Sequence, residues 1–180
     1  MYHFYYADET GTPGTVLTCK PHHSIQRGQV GRGQATATAF TIPEGAVDYW
    51  VDRLGDADAA TLYSTTERFG RTVIPFQDHD GQPLELITGT SDIDPWDDGP
   101  VPAEHAVRGF HGVTIHPHNG QLTADVLELM GYEQVDHAPT PQDGDWTRFR
   151  VPGPEHGQFI DLYNEPNMHE GRWGCGTVHH

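Results

Sequence analysis

Apolar and polar positions in this chain follow a two-residue period through most of its length and switch to a helical period in two places. Tyr2–Tyr6 and Thr15–Cys19 read as two strands joined by a turn-rich stretch, Ala7–Gly14. Ala35–Ile42 is a strand, and Pro43-Glu44 then opens a helix. Ala46, Val47, Trp50, Val51 and Leu54 recur on one face of that helix, and Gly55 ends it. Leu62–Glu67, Thr72–Phe76 and Leu84–Thr88 read as three more strands, with Pro75 implying an edge or a bulge in the second. The order strand, helix, strand, strand, strand then recurs. Phe110–Ile115 is followed by a helix marked by Leu122, Val126, Leu127 and Met130 and closed by Gly131. Tyr132–Asp136, Trp146–Val151 and Phe159–Tyr163 complete the second unit.

This pattern predicts an α+β fold of repeated βαβββ modules paired into cupped mixed sheets. Residues 1–33 hold the C-terminal half of one module plus a loop, 34–90 a complete module, 91–107 a linker rich in aspartate and proline, and 108–170 a second complete module. Residues 171–180 are a glycine loop and the start of a further module. A hairpin such as 2–19 is marginal in water on its own. The glycine loop is itself a repeat: Gly31-Arg32-Gly33-Gln34-Ala35-Thr36-Ala37 resembles Gly174-Cys175-Gly176-Thr177-Val178-His179-His180 at an offset of 143 residues, with Gly28 matching Gly171 upstream.

Charge narrows the partners. The chain has 26 acidic against 10 basic residues, a formal net charge of −16. The acids are spread along the chain, which argues against nucleic acid and anionic membranes as partners. It is also the habit of halophilic proteins kept hydrated in molar salt, where the Debye length is only about 3 Å. No apolar run reaches transmembrane length, and the N-terminus lacks signal-peptide character, so the expectation is a cytoplasmic protein with Cys19 and Cys175 as free thiols.

Several segments carry a resemblance. Tyr5-Tyr6-Ala7-Asp8-Glu9-Thr10-Gly11 with Pro13-Gly14-Thr15, Glu67-Arg68-Phe69-Gly70, Asp80-Gly81-Gln82-Pro83-Leu84-Glu85-Leu86, Arg108-Gly109-Phe110-His111-Gly112-Val113-Thr114 and Gly176-Thr177-Val178-His179-His180 occur in this order. Together with the repeated modules, they resemble the vicinal oxygen chelate superfamily, and within it the ring-cleaving dioxygenases of the hydroquinone type. The resemblance implies Fe(II) held by two histidines and one glutamate, and a small aromatic substrate of the hydroquinone or catechol class. It places an iron ligand at His180 and a substrate-side residue at His179. The other two ligands of the family have no counterpart here, so the expectation is an inactive fragment that alone holds iron weakly or not at all. A metal-free binding module using Trp50, Tyr63, Phe110 or Trp146, or a remnant with no separate function, is the alternative. Unpaired strand edges make homo-oligomers an expectation as well.

The two complete modules offer a second candidate metal set, Glu85 and Asp161 at matching places in the last strands and His111 in a first strand. His111 matches His179, whereas Gly112 and Ala37 match His180; since adjacent strand residues face opposite ways, His111 does not simply replace a ligand. The bland expectation for this trio is internal hydrogen bonding. His22, His23, His79, His116 and His118 fall in loops or turns and are expected at the surface. Cys175 is expected to have no catalytic role.

Overall fold

The computed structural model describes residues 2–58, 60–153 and 155–179. β1 (Phe4–Tyr6) and β2 (Leu17–Cys19) form a separate antiparallel hairpin. The first βαβββ unit has β3 (Gln34–Ile42), α1 (Val47–Gly55), β4 (Ala60–Leu62), β6 (Arg71–Asp78) and β7 (Pro83–Thr88), with β5 (Thr66–Arg68) as a short extra strand folded onto β6. The second has β8 (Phe110–His116), α2 (Gly120–Leu129), β9 (Glu133–Pro139), β10 (Asp145–Arg150) and β11 (Phe159–Asn164). The single strand expected over Leu62–Glu67 is interrupted instead: β4 and β5 run in the same direction along β6, with a one-residue register shift between the Leu62–Phe76 and Thr66–Val73 pairs.

The two units share one sheet in the order β4-β6-β7-β3-β8-β11-β10-β9, with β5 beside β6. Each half reads second, third, fourth, first strand outward-in, and the two first strands, β3 and β8, meet antiparallel at the centre. Both helices lie on one face. Trp50, Val51 and Leu54 of α1 pack over Ile42, Ile74 and Leu86. Leu127 of α2 packs over Phe149 and Leu162.

Local sequence fixes the helix ends. Pro43 leads into a single 3-10 turn at Glu44–Ala46 before α1 begins. Asn119 caps α2 by accepting from the Leu122 amide at 3.1 Å. α2 stops at Gly131, whose φ of +93° lets its amide reach the Glu128 carbonyl while Tyr132 reaches that of Leu127, the paired closure that a left-handed residue makes possible.

The sheet is strongly curled, as side-chain contacts prove. β6 and β10 are five strand steps apart, about 24 Å if flat. Yet Phe69, at the β5–β6 turn, lies 4.6 Å from the Arg148 guanidinium on β10. The face away from the helices is therefore a cup. Among the described residues no helix is long and apolar enough to cross a membrane.

Candidate functional site

Two places bring chemistry-bearing side chains together: the floor of the cup and the paired glycine loops beside it.

On the cup floor, β7 and β11 present Glu85 and Asp161, as the sequence suggested. Neither carboxylate is open. Arg68 donates to both Glu85 oxygens, at 2.5 and 3.2 Å, and its Nε lies 3.1 Å from Asp161 Oδ2. That last contact is off the N–H axis, so it is an ion pair rather than a hydrogen bond. Arg148 takes the other side of Asp161 with two parallel bonds of 2.7 and 2.8 Å. The cations also rest on rings: Arg68 lies 4.5 Å over Trp146, and Arg148 lies 4.6 and 4.8 Å from the Phe69 and Phe159 ring centres. Arg148 and Asp161 are 2% and 3% exposed, so pairing is what makes their burial tolerable. Arg68 belongs to the first unit and Asp161 to the second, so the network locks the two together.

His111 reaches this network through an irregularity. Across β3 and β8, Phe40 faces Phe110 and Ala39 faces Gly112, leaving His111 as the extra residue of a β-bulge. Strict alternation does not apply there. The ring stacks on Phe159 at 4.8 Å, with Nδ1 3.4 Å from Thr41 Oγ1 and Nε2 buried without a partner. Burial, reinforced by Arg148, Arg71 and Arg68, lowers its pKa to about 3, so it is neutral. A matching bulge occurs in β3, where Thr36 is the extra residue between the Ala35–Ile115 and Ala37–Thr114 pairs. Thr36, His111 and His179 are equivalent positions in the repeat.

Among the described residues no group of three His, Cys, Asp or Glu side chains could hold a metal. The trio Glu85, His111 and Asp161 converges on one cup, but two of its members are taken by arginines. Arg68 and Arg148 are the residues that sequence reasoning missed. The available signal was a buried-type strand, Trp146–Phe149, carrying an arginine directly across from an aspartate.

The glycine loops lie side by side. Gln29 and Arg172 exchange two backbone bonds, at 2.7 and 2.8 Å. Gly28 donates to Cys175 O and Gly171 to Arg32 O, both at 2.9 Å. Cys175 donates to Gln26 O at 3.0 Å and Arg32 to His169 O at 2.9 Å. Gly31 N is held by the Gln34 side chain at 3.2 Å and Gly174 N by the Thr177 hydroxyl at 3.1 Å. Each bond maps onto its mate by the 143-residue offset, and Gln29–Arg172 maps onto itself. The clasp thus has a pseudo-two-fold axis through that pair. A Cβ at Gly28 would sit 2.8 Å from Gly174 N, and close approach of two backbones explains the glycines.

The clasp places His179 on an open cleft of about 530 Å³ with Arg32, Gln34, His118, Glu170 and Trp173. His179 is exposed and meets the Trp173 ring edge-on at 5.2 Å. His180 lies outside the described residues. His118 is exposed, 3.4 Å from Glu170, and His22, His23 and His79 are exposed as expected. His116 is a correction. It ends β8 inside the sheet, 4% exposed, because Gly33 donates to its carbonyl and holds the strand end down. Its ring rests on Tyr163, and burial, with help from Arg32 and His169 against Glu165, lowers its pKa to about 4. The aromatic set expected to line a metal-free pocket is scattered as well: Trp50 packs in the α1 core, Phe110 stacks on Phe40, Tyr63 is exposed, and Trp146 lies stacked between Tyr163 and Arg68.

No protein-family model matches the chain. Full-length comparison does find relatives. MhqO of Bacillus subtilis (strain 168), named as a ring-cleaving dioxygenase, is 36% identical over 181 residues, which is 99% of this chain and 55% of that protein. The chlorohydroquinone/hydroquinone 1,2-dioxygenase of Sphingobium indicum is 30% identical, over all of this chain and 56% of its own. A crystal structure of a dioxygenase from Bacillus subtilis superposes with a TM-score of 0.86 at 34% identity, covering 99% of this chain and 56% of that one. A glyoxalase I structure from Zea mays, at 12% identity, superposes with a TM-score of 0.60 over 91% of this chain and 53% of its own, a likeness of fold alone. The chain spans about half the length of the relatives it matches.

Proposed function

Since this chain belongs to the vicinal oxygen chelate superfamily, among relatives that are ring-cleaving dioxygenases, we propose that it forms the central part of an Fe(II)-dependent enzyme that opens hydroquinone- or catechol-like rings. The observation that carries the reading is the match of the whole chain, at 30% identity, to 56% of a chlorohydroquinone/hydroquinone dioxygenase, together with the motif Gly176-Thr177-Val178-His179-His180. In this reading His180 is an iron ligand and His179 contacts substrate. The glycine clasp supports it, because it delivers His179 to an open cleft rather than to a packed interior.

The described residues do not by themselves fit an iron site. Glu85 and Asp161 are neutralised by Arg68 and Arg148, and an iron ion cannot use them without displacing a guanidinium. No step is therefore assigned to the inner cup, whose role is to hold two modules rigid. The same filling speaks against a metal-free ligand chamber there.

The test has two arms. Anaerobic titration of residues 1–180 with Fe(II) is expected to show no stoichiometric tight binding. The full chain as its gene encodes it, loaded with Fe(II), is expected to consume oxygen with hydroquinone, and His180→Ala to lower that rate by about 100-fold or more. Tight iron binding by residues 1–180 alone, or no oxygen uptake by the loaded full chain, overturns the reading.

A further inference from the structure

The turn of the first hairpin rests on a histidine of the second module. Among the described strands β1 and β2 pair only with each other. Their connection is shaped locally: Asp8 Oδ1 accepts from the Thr12 amide at 2.8 Å, and the Thr12 carbonyl accepts from the Thr15 amide and hydroxyl at 3.0 and 2.7 Å. His156, in the β10–β11 loop, meets this turn. Its Nε2 lies 3.3 Å from the Pro13 carbonyl oxygen, and a Cβ on Gly14 would sit 3.2 Å from the imidazole. Its Nδ1 lies 2.6 Å from Asp92 Oδ1, in the linker between the modules. One imidazole, its side chain only 9% exposed, thus joins three segments that are far apart in sequence.

Both of its partners only accept. A proline carbonyl has no proton to give, and Asp92 is ionised at neutral pH, its pKa lowered chiefly by the bond to His156. A neutral imidazole has one N–H and one lone pair, so it can donate to one partner but sets its lone pair against the oxygen of the other. The imidazolium alone donates to both. The groups around the ring favour that form. Asp92 faces it from the linker and Asp8 from the β1–β2 connection, and Glu155 adjoins it on its own loop with its amide bonded to Asp92. The residue that leads into β8 at this contact is Gly109, which brings no charge. The bond to Asp92 outweighs the cost of burial and, with help from Pro13 and Asp8, raises the pKa of His156 above the ordinary 6.5.

We propose that His156 is a pH-sensitive latch: as an imidazolium it ties the turn of the first hairpin to the linker and the β10–β11 loop, and on losing its proton it lets go of the Pro13 carbonyl and frees the turn. The longer bond is the one given up, because the remaining N–H stays with the charged carboxylate. A raised folded pKa fixes the sign. The latch is closed below about pH 6.5 and opens as pH rises through the folded midpoint. His111 and His116, lowered to about 3 and about 4, are neutral throughout this range and take no part. At the 143-residue offset the mate of His156 is Pro13 itself, so the pseudo-symmetry of the clasp supplies no second copy of the latch. Nothing in the latch depends on the identity of a ligand, so it stands or falls apart from the ring-cleaving reading.

The test pairs a titration with a measure of the turn, both on the full chain. NMR of the imidazole nitrogens is expected to show His156 with a midpoint above 6.5 and both nitrogens protonated below it. Hydrogen exchange over residues 8–16, corrected for base catalysis, reads the turn. Between about pH 6 and about pH 8.5 protection there is expected to fall by up to about ten-fold for each unit by which the midpoint exceeds that of an exposed histidine, while β8 and β11 amides keep theirs. Asp92→Asn is expected to lower the midpoint and to move the loss of protection to lower pH by the same amount. His156→Ala is expected to leave residues 8–16 weakly protected at both pH values. A midpoint at or below 6.5, turn protection that does not change with pH, or a pH dependence that survives in His156→Ala overturns the latch.

Discussion

At the scale of single residues, the inner cup is governed by one asymmetry: two buried carboxylates share two arginines, and each arginine also rests on a ring. Among the described residues, removing Arg68 leaves Glu85 with no ion-pair partner and Asp161 with only Arg148. Breaking one side of such a pair costs about 3–5 kcal/mol, whereas exchanging both sides for apolar groups is far cheaper. Arg68→Ala is therefore expected to lower urea stability by that amount, and Arg68→Met with Glu85→Leu by much less than the sum of the single changes. Additive losses would mean the network is not one unit. His111 contributes differently. Its folded pKa near 3 lies below the unfolded value near 6.5, so the unfolded state binds the extra proton first. No penalty exists above pH 6.5. Stability falls as pH drops from there toward 3, by up to about 1.4 kcal/mol for each unit. His116, lowered to about 4, adds to the loss over the upper part of that window. His111→Leu is expected to flatten the pH dependence of stability between pH 6.5 and 4; a slope equal to that of the wild type would place the acid sensitivity elsewhere.

At the scale of elements, the devices that matter are two bulges, one hairpin and the clasp. The β5–β6 turn uses Phe69 and Gly70, both at positive φ, 52° and 69°. This is the twist a two-residue hairpin needs, but a bulky residue adopts it at a cost. The ring of Phe69 lying under Arg148 supplies the compensating contact. In the clasp, Gly174→Ala is expected to destabilise by about 1–3 kcal/mol, since its Cβ would meet the backbone of Gln26 and Gly28. Gly45→Ala, with open space around it, is expected to be within about 0.5 kcal/mol of neutral. Hydrogen exchange reads the same change: Gln29 and Arg172 amides should lose protection in the first variant and keep it in the second. These elements also mark how far sequence reasoning reaches. Strand and helix order was legible because periodicity and glycine stops, such as Gly131 after α2, are local. The 143-residue repeat was legible as a pattern of glycines. His111 facing the cup was not, because a bulge is a property of two paired strands rather than of one. Burial of His116 and the second role of Arg68 were hidden for the same reason: both depend on residues far away in the chain.

At the scale of the molecule, Arg68 and Arg148 are enclosed in the cup with Glu85 and Asp161, while most of the acids lie at the surface. The described ion pairs fall into two groups: arginine pairs in the cup, and pairs of a histidine with an acid at or near the surface, such as His79–Asp80 and His118–Glu170. At pH 8 buried pairs are screened little by salt, and among the described residues the surface pairs number only four, each a histidine with an acid. Added salt at that pH therefore has few attractive surface pairs to weaken. What it does weaken is repulsion within a chain of net charge −16. Raising sodium chloride from 0.1 to 1 M shortens the Debye length from about 10 to about 3 Å and should screen most of that repulsion. The expected outcome is a Tm rise of about 5 °C, equivalent to about 1–2 kcal/mol at this chain length. Chloride is the right anion for the measurement, since sulfate stabilises by exclusion from any protein surface. A Tm that falls with sodium chloride at pH 8 would show that attractive surface pairs outweigh the acidic excess, and that the charge distribution is not an adaptation to salt.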